Sequence, residues 1–218
     1  MCGRFALTAS AQQIIEHFAI GGGFCTTPRY NIAPGSFVPV IRGDGQQIDF
    51  LKWGLIPTWA TDKQLTGNGF MNARMETVME KPAFKSSFLR RRCLVLANGY
   101  YEWQPQGDRK QPYYISAMDE RLFAFAGIWD SWTNPNGAVI ETCAIITMPA
   151  NANLMSIHER MPVILKPSAY QTWLDRRSLQ STLLALLASS GDIALRAHPV
   201  TTRVNDPRFE HPECLNAL

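Results

Sequence analysis

The sequence predicts an α+β fold: one domain over 1–218, with a curved, mostly antiparallel, barrel-like sheet and peripheral helices. Two observations carry that reading. Strand-like segments fill the middle of the chain, while helical patterns lie toward its ends. Short turns ("RGDGQ", "PQGDRKQ", "NPNG") join several of those segments. Short links imply antiparallel pairing, because parallel strands need long crossovers. At 218 residues the chain can bury a substantial core, and no repeat or low-complexity linker divides it.

"TASAQQIIEHF" (8–18) reads as a helix capped by Thr8 or Ser10, with Ile14, Ile15 and Phe18 on one face. "GGGFCTTPRYNIAPG" (21–35) is dense in Gly and Pro and reads as loop. Strands are expected at 37–41, 47–53, 92–103, 112–118, 122–129 and 139–148, where β-branched and aromatic residues concentrate. Helices are expected at "NANLMSI" (151–157), "SAYQTWLD" (168–175) and "SLQSTLLALLA" (178–188), with Pro167 and Gly191 as start and stop signals.

Composition narrows the function classes. Hydrophobic residues make up 46% and charged residues 18%, as in globular proteins. A net charge of +3 permits a nucleic-acid partner without requiring one. The 5 cysteines (2, 25, 93, 143, 214) are odd in number and scattered, without a CxxC pair, which argues against a disulfide framework and for a reducing compartment. The 4 histidines (17, 158, 198, 211) lack metal-ligand spacing, so no metal and no cofactor is expected. Arg4 and Glu16 bracket no sustained apolar run, and "LLALLA" (183–188) is too short to span a bilayer. The expectation is a cytoplasmic protein without a membrane partner.

Four places hold chemistry-bearing residues. In "MCGRF" (1–5), removal of Met1 leaves Cys2 with a free α-amine beside its thiol. Such an amine, with a pKa of about 7.7–8.0, is neutral in about one molecule in six at pH 7, against about one in 2,500 for lysine. An aminothiol of this kind suits covalent chemistry on carbonyls; an accidental second residue is the plain alternative. In "GFMNARMET" (69–77), Asn72 and Arg74 alternate with apolar residues, either as functional groups or as the polar face of a strand. In "ANGYYEW" (97–103), Glu102 lies between Tyr101 and Trp103. Packed among aromatics its carboxyl would hold a raised pKa suited to proton transfer; at a strand end it would simply be exposed. In "SIHERMPVIL" (156–165), His158 stands at a helix-to-strand junction, either to move protons or to satisfy a local carbonyl. Trp53 and Trp59, with Lys81, Lys85 and the arginines of "FLRRRC", have the aromatic and cationic mix of a single-strand-binding surface, or of core tryptophans beside a basic turn.

Together these stretches, with "RYNIAPG" (29–35), "WGLIPTWA" (53–60), "RRCLVLANGYYEW" (91–103) and "HPVTTRVN" (198–205), resemble the SOS-response-associated peptidase family, the abasic-site processing proteins, nearly end to end. "LVLANG" departs from the family pattern, which carries Pro or Phe and Asp there. The resemblance implies capture of abasic sites in single-stranded DNA as a DNA–protein crosslink, autocatalytic removal of the residue before Cys2, and a possible lyase-type activity. It implies Cys2 as nucleophile, Asn72 positioning the opened sugar, and Glu102 and His158 moving protons. Arg4, Pro34, Trp59, Arg74, Trp103 and Arg160 would line the DNA groove of a monomer, nucleoid-associated when bound. Two rivals remain: a class II glutamine amidotransferase, which shares "MCG" but has an Asn-Gly-Glu-rich loop not found here, and a non-catalytic single-strand binder.

Overall fold

Residues 2–21, 23–43, 47–61, 67–119 and 121–218 are described by the computed structural model. The first strands are β1 (Phe5–Leu7), β2 (Arg29–Ile32), β3 (Phe37–Arg42), β4 (Ile48–Trp53), β5 (Asn72–Arg74) and β6 (Arg92–Ala97). They are followed by β7 (Gly99–Gln106), β8 (Arg109–Ala117), β9 (Phe123–Thr133), β10 (Val139–Pro149), β11 (Arg160–Pro162), β12 (Ile164–Leu165) and β13 (Leu195–Pro199). The helices are α1 (Ala11–Phe18), α2 (Pro82–Arg90), α3 (Tyr170–Leu174) and α4 (Gln180–Ala188).

Strands β10, β4, β3, β6 and β9 pair in turn, and β9 pairs back onto β10, so five strands close a barrel. The β10–β4 pairing is parallel and the other four are antiparallel. Closure follows from length: β9 and β10 are each 11 residues and reach neighbours on both sides. The far end of β10 also carries β5 in parallel and β11 in antiparallel register. A second, antiparallel sheet runs β13-β8-β7-β1-β2. The expected α+β class and barrel-like, mostly antiparallel sheet are what the chain forms.

The two sheets meet through aromatic rings. Phe5 of β1 meets Trp53 of β4 edge-on at 5.1 Å and Phe125 of β9 at 5.8 Å, and Tyr100 of β7 reaches Phe125 at 6.1 Å. Such contacts add roughly 0.5–1.5 kcal/mol per pair beyond area burial. The segment read as one strand at 92–103 is two, and they lie in different sheets. The hinge is Asn98-Gly99: Asn98 Oδ1 accepts from the Thr8 and Ala9 amides at 2.7 and 3.1 Å. A Cβ on Gly99 would lie 2.4 Å from the Tyr114 ring, so only glycine lets β7 lie this close to β8.

Helix α1 is capped by Ser10, not Thr8, in a reciprocal box with Gln13. Two expectations fail. Residues 29–32, read as loop, form β2. Residues 151–157 make a run of turns rather than a helix: the Asn151 carbonyl takes the Leu154 and Met155 amides, and the next turn closes on the Leu154 carbonyl with the Ile157 and His158 amides. The helix expected at 168–175 forms as α3, led in by a 3-10 turn at Pro167–Ala169. No described helix is long and apolar enough to cross a membrane.

Candidate active site

Cys2 lies just ahead of β1, and β1 pairs with β7, which carries Glu102. Adjacent register places the Tyr101 amide on the Arg4 carbonyl at 2.9 Å, so the start of the chain is tied along β7. From the barrel side, β5 brings Asn72, whose Nδ2 donates to the Cys2 carbonyl at 2.8 Å. Beyond β10, the turn before β11 brings His158, with Nε2 4.0 Å from Glu102 Oε2. Cys2, Asn72, Glu102 and His158 therefore converge where the second sheet meets the barrel.

Cys2 is 0% exposed, although a second residue is the least expected in a core. Burial, reinforced by the Glu102 charge, pushes its thiol well above the ordinary value, so it is protonated at neutral pH. Glu102 is buried as well, and burial raises its carboxyl to about 7. The exposed strand-end alternative for Glu102 is thereby excluded. His158 has the local carbonyl of its plain reading, with Nδ1 3.2 Å from the Arg160 carbonyl. Its Nδ1 also lies 2.9 Å from the Arg160 amide, a contact that fits the opposite tautomer, and Nε2 faces Glu102 at 4.0 Å. Burial lowers its pKa, so the ring is neutral at pH 7.

The expected groove residues divide. Arg74 is exposed on the face of β5 shared with Asn72, and has no ion-pair or hydrogen-bond partner among the described residues. Trp59 is 57% exposed. Its loop is pinned on both sides: Thr58 bonds Asp130, and the Trp132 ring N–H reaches the Ala60 carbonyl at 2.7 Å. Pro34 is partly buried, and its carbonyl accepts from Asn68 at 3.2 Å. Arg160 is chelated by Glu76, which it holds below the usual carboxylate range, and by the Thr147 carbonyl at 2.7 Å. Arg4 is bonded to Asn31 Oδ1 at 2.7 Å and to the Val204 carbonyl at 2.8 Å, and lies 6.0 Å from the Trp103 ring centre. Trp103 itself donates to Asn205 at 2.7 Å.

Two parts of the expected basic aromatic surface are corrected. Trp53 is fully buried, its N–H on the Met71 carbonyl, because β4 faces the barrel interior there. The arginine run lies at the end of α2, a helix the sequence reading lacked. Arg92 is buried on the carbonyls of Phe88, Leu89, Trp173 and Asp175, and Arg91 pairs with Asp130 at 3.2 Å. Of the residues named for that surface, Trp59, Lys81, Lys85 and Arg90 remain exposed.

Sequence reasoning missed Asn31, Glu76 and Tyr100. Asn31 is fully buried, donating to the Val204, Asp206 and Phe209 carbonyls, and so fixes the segment that holds Arg4 and Trp103. It lies within "RYNIAPG", but nothing in its neighbourhood announces partners so distant in sequence. Among the described residues no group of three potential metal ligands occurs.

The model of the SOS response associated peptidase (SRAP) family matches residues 1–207. Among relatives, the abasic site processing protein YoqW of Bacillus subtilis is 37% identical over 226 residues, covering 100% of both chains. The abasic site processing protein HMCES of Gallus gallus is 36% identical, covering 86% of this chain and 66% of its own. Among solved structures, a protein from Bacteroides thetaiotaomicron superposes with a TM-score of 0.88 at 26% identity over 100% of both chains.

Proposed function

The chain belongs to the SOS response associated peptidase family, and from that premise we propose that it captures abasic sites in single-stranded DNA through Cys2, as a thiazolidine crosslink that shields the lesion during the DNA damage response. One observation carries this reading. A buried carboxyl with a pKa near 7 faces Nε2 of a neutral histidine at 4.0 Å, beside a cysteine whose backbone carbonyl Asn72 holds.

Met1 must first leave by hydrolysis of the Met1–Cys2 peptide bond, the reaction that a peptidase name describes; Met1 lies outside the described residues. A deoxyribose hemiacetal opens to its aldehyde when a base takes the hydroxyl proton and an acid protonates the ring oxygen. Glu102 is half-ionised near neutrality and fills either role, with His158 Nε2 4.0 Å away as the second proton-transfer group. The Cys2 amine then condenses with the aldehyde and releases water. The thiol adds across the C=N bond, its proton balancing the nitrogen, and a five-membered ring closes. Schiff bases hydrolyse readily, so ring closure makes the product durable. Asn72 Oδ1 receives a sugar hydroxyl, a role supported by its being buried without a partner among the described residues. Arg74 supplies a phosphate contact and Trp59 a stacking face, with Pro34, Arg4, Trp103 and Arg160 along the rest of the groove. Held by Glu76 and by Asn31 respectively, Arg160 and Arg4 act chiefly by shaping that groove. The protein works as a monomer, without a cofactor, in the cytoplasm and at the nucleoid.

The test is incubation with an oligonucleotide carrying one natural abasic site, beside one carrying its aldehyde-free tetrahydrofuran analogue, followed by denaturing electrophoresis and intact mass. The natural site should give an adduct of the summed masses less one water. No adduct, or equal adduct with the analogue, would refute the proposal.

A further inference from the structure

Of the 6 tryptophans, Trp59 alone is largely exposed. It stands at the tip of a tight turn, closed by the Ala60 amide on the Pro57 carbonyl at 2.9 Å. An exposed turn tip ordinarily rides on mobile backbone, because it has few buried contacts to hold it. This turn is anchored along its whole length. Just before it, the Ile56 amide donates to Thr142 Oγ1 at 2.8 Å. Within it, the Thr58 amide donates to Asp130 Oδ2 at 3.2 Å, and the Thr58 hydroxyl donates to Asp130 Oδ1. At its end, the Trp132 ring N–H donates to the Ala60 carbonyl at 2.7 Å. All of these anchors stand on the paired stretch of β9 and β10, where Asp130 faces Thr142 in register.

Asp130 is the centre of the arrangement. It is 4% exposed, and a carboxylate so buried needs several donors to offset its lost hydration. Besides Thr58, the Ser131 amide lies at 2.8 Å, Arg91 at 3.2 Å and the Ser87 hydroxyl at 3.4 Å. The donors from β9 and from the end of α2 join barrel to helix. The two bonds to Thr58 do something else: they reach an exposed residue and carry the tether out to Trp59. The same turn is tied toward the site. Backbone bonds of 2.9 and 3.0 Å between Leu55 and Phe70 join the chain entering the turn to the chain entering Asn72.

We propose that Asp130 is a positioning residue that fixes the turn presenting Trp59 to a nucleobase, an inference that rests on the single-strand groove proposed above. A ring held in place before binding loses less freedom when a base stacks on it, and affinity rises accordingly. What it recognises is the π face of an unpaired base, whatever the sequence.

Asp130→Asn keeps the shape and breaks the arrangement. Its amide nitrogen must face either the Thr58 N–H or the Arg91 guanidinium, donor against donor. Affinity for an intact single strand, read by fluorescence anisotropy across a salt series, should fall about tenfold in Trp59→Ala. It should fall roughly fivefold in Asp130→Asn, with the salt slope unchanged because no phosphate contact is lost. Adding Asp130→Asn to Trp59→Ala should weaken binding no further, since the carboxylate acts through the ring. Thr58→Val, which removes one hydroxyl at an exposed position, should repeat the pattern more weakly without lowering the melting temperature. Adduct formation at saturating abasic oligonucleotide should keep its wild-type rate in each variant. Equal losses of affinity from Asp130→Asn with and without Trp59 would overturn the proposal, since the carboxylate would then support the fold alone. So would wild-type affinity in both Asp130→Asn and Thr58→Val. Unchanged affinity in Trp59→Ala would remove the stacking face, and this inference with it. Strand binding without adduct in the processed wild-type chain would overturn the proposed capture and not the positioning, which the double-variant comparison reads separately.

Discussion

Two buried thiol environments in this molecule differ in what surrounds them. Cys93 and Cys143, on β6 and β10, are 0% exposed in the barrel, and burial alone pushes the Cys143 thiol up to about 12. Their neighbourhood is packed; a Cβ on Gly127 would lie 2.7 Å from the Cys93 sulfur and 2.9 Å from Val95. Cys2 is equally buried, yet beside it stand Asn72, Tyr100 and Glu102, with the Asn72 oxygen and the Tyr100 hydroxyl unpaired among the described residues. Burial and a raised thiol pKa do not separate these environments. Hydrogen-bonding capacity left unused inside the protein does, since a folded interior normally leaves few such groups. The arginines divide along the opposite line. Arg92 has spent its donors on four carbonyls, whereas the exposed Arg74 guanidinium has no partner among the described residues.

Exchange of one atom in each thiol environment breaks the comparison most sharply. Cys2→Ala should abolish the adduct completely, and Cys2→Ser should leave only an imine that borohydride traps. Cys143→Ala should crosslink at the wild-type rate while losing about 1–2 kcal/mol of stability in urea titration, from the small cavity left behind. Adduct from Cys2→Ala would show that the Cys2 thiol is not the reacting group and that its surroundings do not set it apart from Cys143.

Glu102→Gln should slow adduct formation by about a hundredfold. It should also change the dependence of stability on pH. The folded carboxyl titrates at about 7 against an ordinary 4.5, so across that window the folded chain binds more protons than the unfolded one. Stability therefore falls as pH rises through the window and levels off above it. His158, whose pKa is lowered, acts with the opposite sign below its ordinary 6.5. Urea midpoints across this range should fall less steeply for Glu102→Gln than for wild type; parallel curves would mean that the carboxyl is not held protonated by its burial.

The smallest effect belongs to the rim. Arg74→Ala should flatten the salt dependence of single-strand affinity by about 0.7 in log–log slope, the loss of one phosphate contact, with adduct formation at saturating DNA unchanged. An unchanged slope would place Arg74 outside the groove.

The long barrel strands were legible because β9 and β10 are continuous β-branched, aromatic and small apolar runs, buried over most of their length. Helix α2 was not: its N-cap Lys81 makes no side-chain cap, and "PAFKSSFLR" mixes polar and apolar residues without a clear stripe. The split between β6 and β7 was hidden because both are apolar, and only the tertiary contacts of Asn98 and Gly99 mark the break. In the site, Cys2, Asn72, Glu102 and His158 were legible from their chemistry. Tyr100 and Glu76 were not, because a tyrosine in an apolar strand and a glutamate after a strand look ordinary until their neighbours are known. The reach of Arg160 to Glu76 arises only when β11 lies beside β10, which in turn carries β5.

The central claim is that one residue supplies both nucleophiles, so the free α-amine of Cys2 is the decisive group. Intact mass after reaction with the abasic oligonucleotide, on chains with Met1 removed and on chains made unable to lose the residue before Cys2, tests it directly. Processed chains should gain the oligonucleotide less one water. Chains with a blocked amine should bind the strand yet gain no stable mass, since the thiol alone forms only a reversible hemithioacetal. A stable adduct whose mass still includes Met1 would contradict the account.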